Sequence, residues 1–206
     1  MPTVERHISE ITSKQTTLTK SKFYSALDIQ ALEEFAPEEI VCYGIGSFSS
    51  SISQWQLALI LALNRDLHAP IHAFDPMTTA DDIDIMRHFN ISPIAENEQA
   101  KRKVSKRTLF YMPHCEQFLY ENVVAANWSA EQLPQVMLVG NHFSSYQNSQ
   151  TCQTFASNSP HIKQVLEHLT CVDFPHETFL GLKHCPYAFS DMCIQYVRPL
   201  DINRIF

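Results

Sequence analysis

The sequence of 206 residues predicts an α/β fold of Rossmann-like type: a three-layer sandwich with a mostly parallel sheet, helices on both faces and room for an antiparallel edge strand. The main observation is that short apolar runs alternate with amphipathic segments from residue 40 onward, which is the pattern of βαβ units. Hydrophobic residues make up 45% of the chain and charged residues 18%, so a sizeable core can be buried. A chain of this length fits one large domain better than two.

Seven apolar runs are the predicted strands. They cover residues 40–43, 71–74, 91–95, 109–112, 136–139, 171–174 and 192–197. Apolar residues at helical spacing predict helices after Ser50, after Thr79, over 116–128 and after Pro160, and the charged segment 96–107 is also predicted to be a helix. No helix is predicted before the last strand, so this strand is the one expected to run antiparallel at an edge.

Residues 1–21 are rich in Thr, Ser and Lys and are predicted to form a loose polar tail, followed by a single Rossmann-like domain over residues 22–206. The N-terminus has no apolar stretch typical of a signal peptide, and no apolar run is long enough to span a membrane. The net charge of −7 argues against binding to DNA. The six cysteines show no CxxC spacing, which favours reduced thiols. We therefore expect a soluble protein of the cytosol or nucleus.

The four glycines of this chain are placed in an informative way, because three of them directly follow predicted strands. Gly44 and Gly46 lie between the first strand and a helix, where the phosphate loop of a dinucleotide-binding fold belongs. The third glycine of that motif is replaced by Ser49, and Asp75 follows at a longer spacing than the motif has. Cys42 stands where methyltransferases usually carry an acid. Two interpretations of this segment remain open. It could be a tight turn that binds no ligand, or a site for a nucleotide or another small anion.

Parallel strands place their carboxyl ends at one edge of the sheet, where ligands bind in open α/β folds. The helix after Ser50 would direct its free amides there and favour an anionic group. Asp75 would accept hydrogen bonds from ligand hydroxyls, and Gly46 would allow close approach of the backbone. The residues predicted to line this crevice are Gly44, Gly46, Ser47, Ser49, Asp75, Pro113, His114, Asn141 and His142.

No catalytic residue is predicted. His114 and Cys115 could act as base and nucleophile, but neighbouring residues of a strand point in opposite directions, so packing is the favoured role of Cys115. A zinc site of both residues with His142 lacks the usual paired spacing, and no metal site is predicted. The dipeptide Cys185-Pro186, preceded by His184, makes these two side chains the candidates for haem binding.

Several motifs occur in a fixed order and together resemble the sensitivity-to-red-light-reduced family over residues 22 to 197. They are Tyr43-Gly44-Ile45-Gly46-Ser47-Phe48-Ser49-Ser50, Phe74-Asp75-Pro76, Glu96-Asn97-Glu98, Phe110-Tyr111-Met112-Pro113-His114-Cys115, Asn127-Trp128-Ser129 and Gly140-Asn141-His142-Phe143. Ser47, Glu116 and His142 depart from the residues common in that family. The resemblance implies a regulatory protein of cytoplasm and nucleus, linked with circadian rhythm and with regulation of haem biosynthesis, and it transfers no catalytic residues.

Three hypotheses for the function follow. The first is a regulatory protein whose Rossmann-like crevice binds a nucleotide-like small molecule. The second is a methyltransferase-like group-transfer enzyme that uses a nucleotide-type cofactor, and the third is a haem-binding sensor. The expected partners are a small-molecule ligand and other proteins, with no membrane and no direct DNA binding.

Overall fold

The computed structural model describes residues 3–175 and 185–206, and the side chains of 185 and 186 are outside this description. Within the described residues, seven strands form one sheet with the order β3-β2-β1-β4-β5-β7-β6. The strands are β1 Glu39–Tyr43, β2 Ile71–Phe74, β3 Ile91–Pro93, β4 Thr108–Met112, β5 Val136–Asn141, β6 Leu169–Asp173 and β7 Met192–Val197.

The first five strands pair in parallel, and β7 runs antiparallel to both of its neighbours, β5 and β6. The predicted antiparallel last strand is thus confirmed, but its predicted place at the edge is wrong. The side chains of β7 are almost all buried, whereas those of β6 are half-buried or exposed. Because a buried apolar strand needs cover on both faces and pairing on both sides, β7 lies inside the sheet and β6 forms the edge.

Helices cover both faces of the sheet, which confirms the three-layer sandwich. They are α1 Thr3–Thr19, α2 Lys22–Ala26, α3 Gln30–Phe35, α4 Ser51–Leu67, α5 Ala80–His88, α6 Gln117–Ala126, α7 Phe143–Asn148, α8 Cys152–Asn158, α9 Pro160–Val165 and α10 Cys185–Phe189. One hydrophobic cluster packs α1 to α5 and α10 on one face, and a second packs α6 to α9 on the other. Alternate residues of β1 point into the two clusters, as the pleat of a strand requires.

The predicted loose tail is wrong, because α1 is a helix of 17 residues packed on α4. The side chain of Gln54 in α4 joins the two helices. Its Nε2 donates to Glu10 Oε2 at 2.8 Å, and its Oε1 accepts from Lys14 Nζ at 2.6 Å. The many threonines are poor helix formers, and tertiary packing decides the structure instead. The side chains of α1 that are buried are His7, Ile11 and Leu18.

The helix predicted over residues 96–107 is also absent, and an irregular segment leads from β3 to β4. Gln99 and Ala100 have φ angles of 50° and 57°, which interrupt a right-handed helix. The fully buried side chain of Asn127 replaces the missing helical bonds, since it accepts from Val104 N at 2.8 Å and donates to Arg102 O at 3.0 Å. This anchoring holds the segment against the end of α6.

Candidate functional site

The carboxyl ends of β2, β1, β4 and β5 lie side by side at one edge of the sheet. The register places Tyr43 beside Phe74, and Met112 beside Gly140. Asp75, Gly44 and His114 follow the ends of β2, β1 and β4, and Asn141 is the last residue of β5, so these four predicted residues do occupy one edge. Binding of a ligand by this whole set stays a prediction.

Gly44 makes the turn after β1 and has a φ of +72°. A Cβ at this position would lie 2.5 Å from Cys115 Sγ, so the thiol and the turn pack directly on each other. Cys115 Sγ donates to Tyr43 O at 3.3 Å, and burial raises the pKa of this thiol to about 12. Cys115 is therefore protonated at neutral pH, which supports its packing role and argues against a nucleophile.

Two carboxylates of the chain already bind the amides of the glycine loop. Gly46 N donates to Asp75 Oδ2 at 2.8 Å, and Phe48 N donates to Asp82 Oδ1 at 2.8 Å. Asp82 is buried and also forms the capping box at the start of α5 with Thr79. An anionic ligand would have to displace these carboxylates in order to bind these two amides. The predicted attraction of an anion to the free amides at the start of α4 stays a prediction.

Ser47 and Ser49 lie on the outer side of the same loop. Their hydroxyls are 3.0 Å apart, and Ser47 Oγ is also 3.3 Å from Asp82 Oδ1. Both serines border a shallow depression between α1 and α5, together with Thr3 and His7. The structure therefore directs them away from the turn at Gly44.

His114 and Cys115 point to different sides, as expected for neighbouring residues. His114 has a φ of 54°, and its ring Nε2 lies 3.2 Å from Ala188 O, next to α10. Its backbone N donates to Asn141 Oδ1 at 2.8 Å, which ties the end of β4 to the end of β5. The preceding residue, Pro113, is buried. No base–nucleophile pair is formed by this dipeptide.

His142 lies farther along the edge, at the start of α7. Its Nε2 is 3.4 Å from Asp173 Oδ1, and its Nδ1 is 2.8 Å from Ser144 Oγ. In the described part of the chain, the side chains that could share a metal ion with His142 are Asp173 and Cys193, not His114 or Cys115.

A pocket of about 190 Å³ opens beside the turn of β1, between the ends of β1 and β2, the segment before β4, and α6. We call it the aromatic pocket, because Tyr43, Phe74 and Phe118 contribute to its wall. Gly44 is the predicted crevice residue that lines it. The complete lining is Tyr43, Gly44, Phe74, Pro76, Asn97, Gln99, Ala100, Phe118 and Leu119.

Sequence reasoning missed most of this lining, although Tyr43 and Phe74 directly precede the predicted residues Gly44 and Asp75. The hydroxyl of Tyr43 donates to Glu98, whose carboxylate also accepts from Arg102 at 2.8 and 3.0 Å. Burial, with the neighbouring Glu98, raises the pKa of Tyr43, so this side chain is neutral. The neutral side chain of Tyr43 is thus held in the pocket wall by Glu98, whose negative charge is balanced by Arg102.

Two predictions lie outside the residues that the structure describes: His184 and the side chain of Cys185, the haem candidates, are not described. The five cysteines whose side chains are described are all free thiols: Cys42, Cys115, Cys152, Cys171 and Cys193. No helix in the described ranges has both the length and the apolar character needed to cross a membrane.

Comparison with known proteins identifies relatives in plants and animals. The Arabidopsis thaliana protein SENSITIVITY TO RED LIGHT REDUCED 1 is 38% identical over 113 residues, which are 53% of this chain and 41% of that protein. An SRR1-like protein of Mus musculus is 32% identical over 134 residues, 63% of this chain and 54% of the mouse protein. For an SRR1-like protein of Drosophila melanogaster the identity is 31% over 144 residues, 68% and 49% of the two chains. The matches thus span about half the length of these relatives.

Among solved structures, the plantazolicin methyltransferase BpumL in complex with a monoazolic desmethylPZN analogue and SAH resembles the fold. The TM-score is 0.37 and the sequence identity 11%, with 95% of this chain and 99% of the other covered. This likeness concerns the arrangement of the chain and carries no argument about function. The model of the SRR1 domain matches residues 9–196, from within α1 to the last residue but one of β7, and includes every residue of the aromatic pocket. The chain therefore belongs to the SRR1 domain family.

Proposed function

We propose that this chain is a regulatory protein that binds a small molecule with a planar, nucleobase-like ring in the aromatic pocket. The observation that carries the proposal is the pocket itself, which three aromatic side chains line at the carboxyl end of β1. Phe118 stands at this pocket and is 54% exposed. A ring that stacks there would remove apolar surface from water, which is the main favourable contribution to binding in such sites.

The size of the pocket limits the ligand. A volume of about 190 Å³ is below the range of roughly 300 to 1,000 Å³ found for drug-sized ligands. The pocket therefore suits one ring system, with the rest of the ligand lying outside it toward Asp75, which follows the lining residue Phe74.

The charges at this edge favour a neutral or cationic ligand over a phosphate. The carboxylates of Asp75 and Asp82 already bind the two loop amides that would hold an anion. Asp75 is half-buried, and its two oxygens accept from Gly46 N and Met77 N. A carboxylate has about four acceptor positions, so Asp75 keeps capacity for hydroxyl or amino groups of a ligand. A nucleoside meets this chemistry better than a nucleotide does.

The residues at this edge support binding rather than catalysis. The thiol of Cys115 is held protonated by burial, and His114 is turned toward Ala188. Tyr43, which lines the aromatic pocket, has a neutral side chain whose hydroxyl donates to Glu98. An acid–base pair within reach of a ligand is the usual requirement of an enzyme, and these side chains do not form one.

The wider role in this proposal is regulation linked to circadian rhythm and to haem biosynthesis, in cytoplasm and nucleus and with protein partners. Membership of the SRR1 domain family supports it, together with the name of the Arabidopsis relative, which refers to red-light sensitivity. The aromatic pocket would be the place where a metabolite controls that activity.

A second candidate, a methyltransferase-like enzyme, has one observation in its favour. The carboxylates at the glycine loop suit a cationic cofactor such as a sulfonium compound. The ring of such a cofactor would bind in the same pocket. The two candidate functions therefore differ in whether a nucleoside or a sulfonium cofactor binds more tightly.

Calorimetric titration of the full chain with adenosine, AMP and S-adenosylmethionine tests these proposals. We expect adenosine to bind more tightly than AMP, and Phe118→Ala to weaken binding about tenfold, since one base–aromatic contact contributes roughly 1 to 3 kcal/mol. Phe206→Ala is the matched control, because Phe206 is equally exposed, at 54%, and packs against Trp128 instead.

The outcomes separate the alternatives. Tighter binding of S-adenosylmethionine than of adenosine would favour the group-transfer enzyme. Tighter binding of AMP would show that the loop accepts an anion after all. If none of the three compounds binds, or if Phe118→Ala and Phe206→Ala behave alike, the aromatic pocket is not a nucleoside site.

A further inference from the structure

The ends of β5, β6 and β7 bring together an imidazole, a carboxylate and a thiol. Asp173 is the last residue of β6 and lies directly opposite Cys193 of β7 in the antiparallel register, so both side chains are on the same face. His142 follows β5 on the other side of β7, and its backbone N donates to Asp191 O at 3.0 Å. This contact continues the pairing of β5 with β7 by one residue and brings the imidazole beside the other two side chains.

The structure assigns to His142, Asp173 and Cys193 a site for one divalent transition-metal ion, and we propose Zn²⁺ as the ion it takes. Their ligand atoms all lie within 4.8 Å of one another. Because Zn–N, Zn–O and Zn–S bonds are about 2.0 to 2.3 Å long, the ligand atoms of a tetrahedral site are roughly 3.3 to 3.7 Å apart. His142 Nε2 and Asp173 Oδ1 are already 3.4 Å apart. Small rotations of the side chains would close the remaining distances.

The surroundings of His142 suit a metal ligand. Its Nδ1 accepts from Ser144 N at 3.3 Å and lies 2.8 Å from Ser144 Oγ, and these contacts orient the ring so that Nε2 is directed toward Asp173. A metal ion on Nε2 requires the ring proton on Nδ1, so binding would replace the contact from Ser144 N by a hydrogen bond from Nδ1–H to Ser144 Oγ. Such a partner on the second nitrogen fixes the tautomer and the orientation of a ligating histidine. Imidazole, carboxylate and thiolate are also the ligand types that zinc accepts.

The exposure of the three residues predicts an exchangeable ion. Cys193 is buried, whereas the side chain of Asp173 is 66% exposed and that of His142 is 26% exposed. Three protein ligands with one side open to solvent leave the fourth position for water or for a group from another molecule. The burial that raises the pKa of Cys193 means that the ion must displace the thiol proton, so binding releases a proton.

The site is separate from the aromatic pocket, with which it shares no residue. An ion there would join the edge strand β6 to β7 and to the start of α7. It would therefore control the order of this edge of the sheet, independently of the ligand proposed above.

Titration of the metal-free full chain with Co²⁺ and Zn²⁺ tests the proposal. We expect one ion per chain, and an absorbance band of Co²⁺–thiolate type that Zn²⁺ removes in competition. Asp173→Asn, a change at an exposed side chain that should leave folding intact, is expected to weaken Zn²⁺ binding about tenfold or more, and Cys193→Ser to abolish the thiolate band. Cys171→Ser is the matched control, because this exposed thiol lies on β6 but outside the three ligands, and it should keep the band.

Some results would overturn the assignment. Absence of stoichiometric Zn²⁺ binding by the folded wild-type chain would do so, as would a thiolate band that survives in Cys193→Ser. Equal affinity of wild type and Asp173→Asn would show that the carboxylate is no ligand and that His142 and Asp173 form only an ion pair.

Discussion

Gly44 is the residue on which the turn after β1 depends, for two separate reasons. Its φ of +72° lies in the left-handed region, and a Cβ would meet Cys115 Sγ at 2.5 Å. The thiol is buried and cannot move away without opening the second hydrophobic cluster. Conformation and packing at this position therefore both require glycine.

We predict that Gly44→Ala lowers the free energy of unfolding by about 2 kcal/mol, the scale of one strained backbone position. In a Cys115→Ala background the same change should cost less, because the contact with Sγ is gone and only the strain at φ remains. Urea denaturation of the four proteins in this cycle measures the difference. An identical loss in both backgrounds would mean that the contact with Cys115 contributes nothing.

At the scale of elements, α1 shows how packing creates a helix from a sequence of poor helix formers. Ile11 and Leu18 are fully buried against the first cluster, and Gln54 bonds to both Glu10 and Lys14. Gln54 also donates to Phe48 O at 2.8 Å, so the same side chain supports the glycine loop. The N-terminal helix is therefore part of the support of the candidate site.

We predict that Ile11→Ala destabilises the chain by roughly 2 to 4 kcal/mol, as expected when a fully buried aliphatic side chain is truncated. Thr17→Ala, at an exposed position of the same helix, should change stability by less than about 0.5 kcal/mol. The midpoint of urea denaturation provides the comparison. A negligible effect of Ile11→Ala would show that residues 3–19 are a loose tail in solution.

At the scale of the whole molecule, the order of the strands decides which residues meet. Placing β1 between β2 and β4 brings the turn at Gly44 next to Asp75 on one side and Cys115 on the other. Inserting β7 between β5 and β6 brings Cys193 between His142 and Asp173. The aromatic pocket and the proposed metal site are thus products of topology at opposite halves of one edge.

We predict that backbone amides of β7 exchange with deuterium more slowly than those of β6. β7 is paired on both sides and buried, whereas among the described strands β6 pairs with β7 alone and its side chains are half-buried or exposed. Opening of an edge strand disrupts fewer contacts, so its local free energy of opening is lower. Mass spectrometry of peptides from the two strands gives the rates. Faster exchange in β7 would contradict the observed strand order.

The sequence by itself determined the fold class and the approximate positions of the strands, because apolar runs, helical periodicity and glycine placement are local signals. It predicted the edge of the sheet that holds Gly44, Asp75, His114 and Asn141. Only the tertiary structure decided that α1 packs, that residues 94–107 avoid a helix, and that β7 lies inside the sheet. It also decided that Asp75 and Asp82 accept hydrogen bonds from two amides of the glycine loop, and that Phe118 lines the pocket although its helix, α6, is far from β1 in the sequence. These features depend on contacts between residues far apart in the chain, for which a local pattern carries no signal.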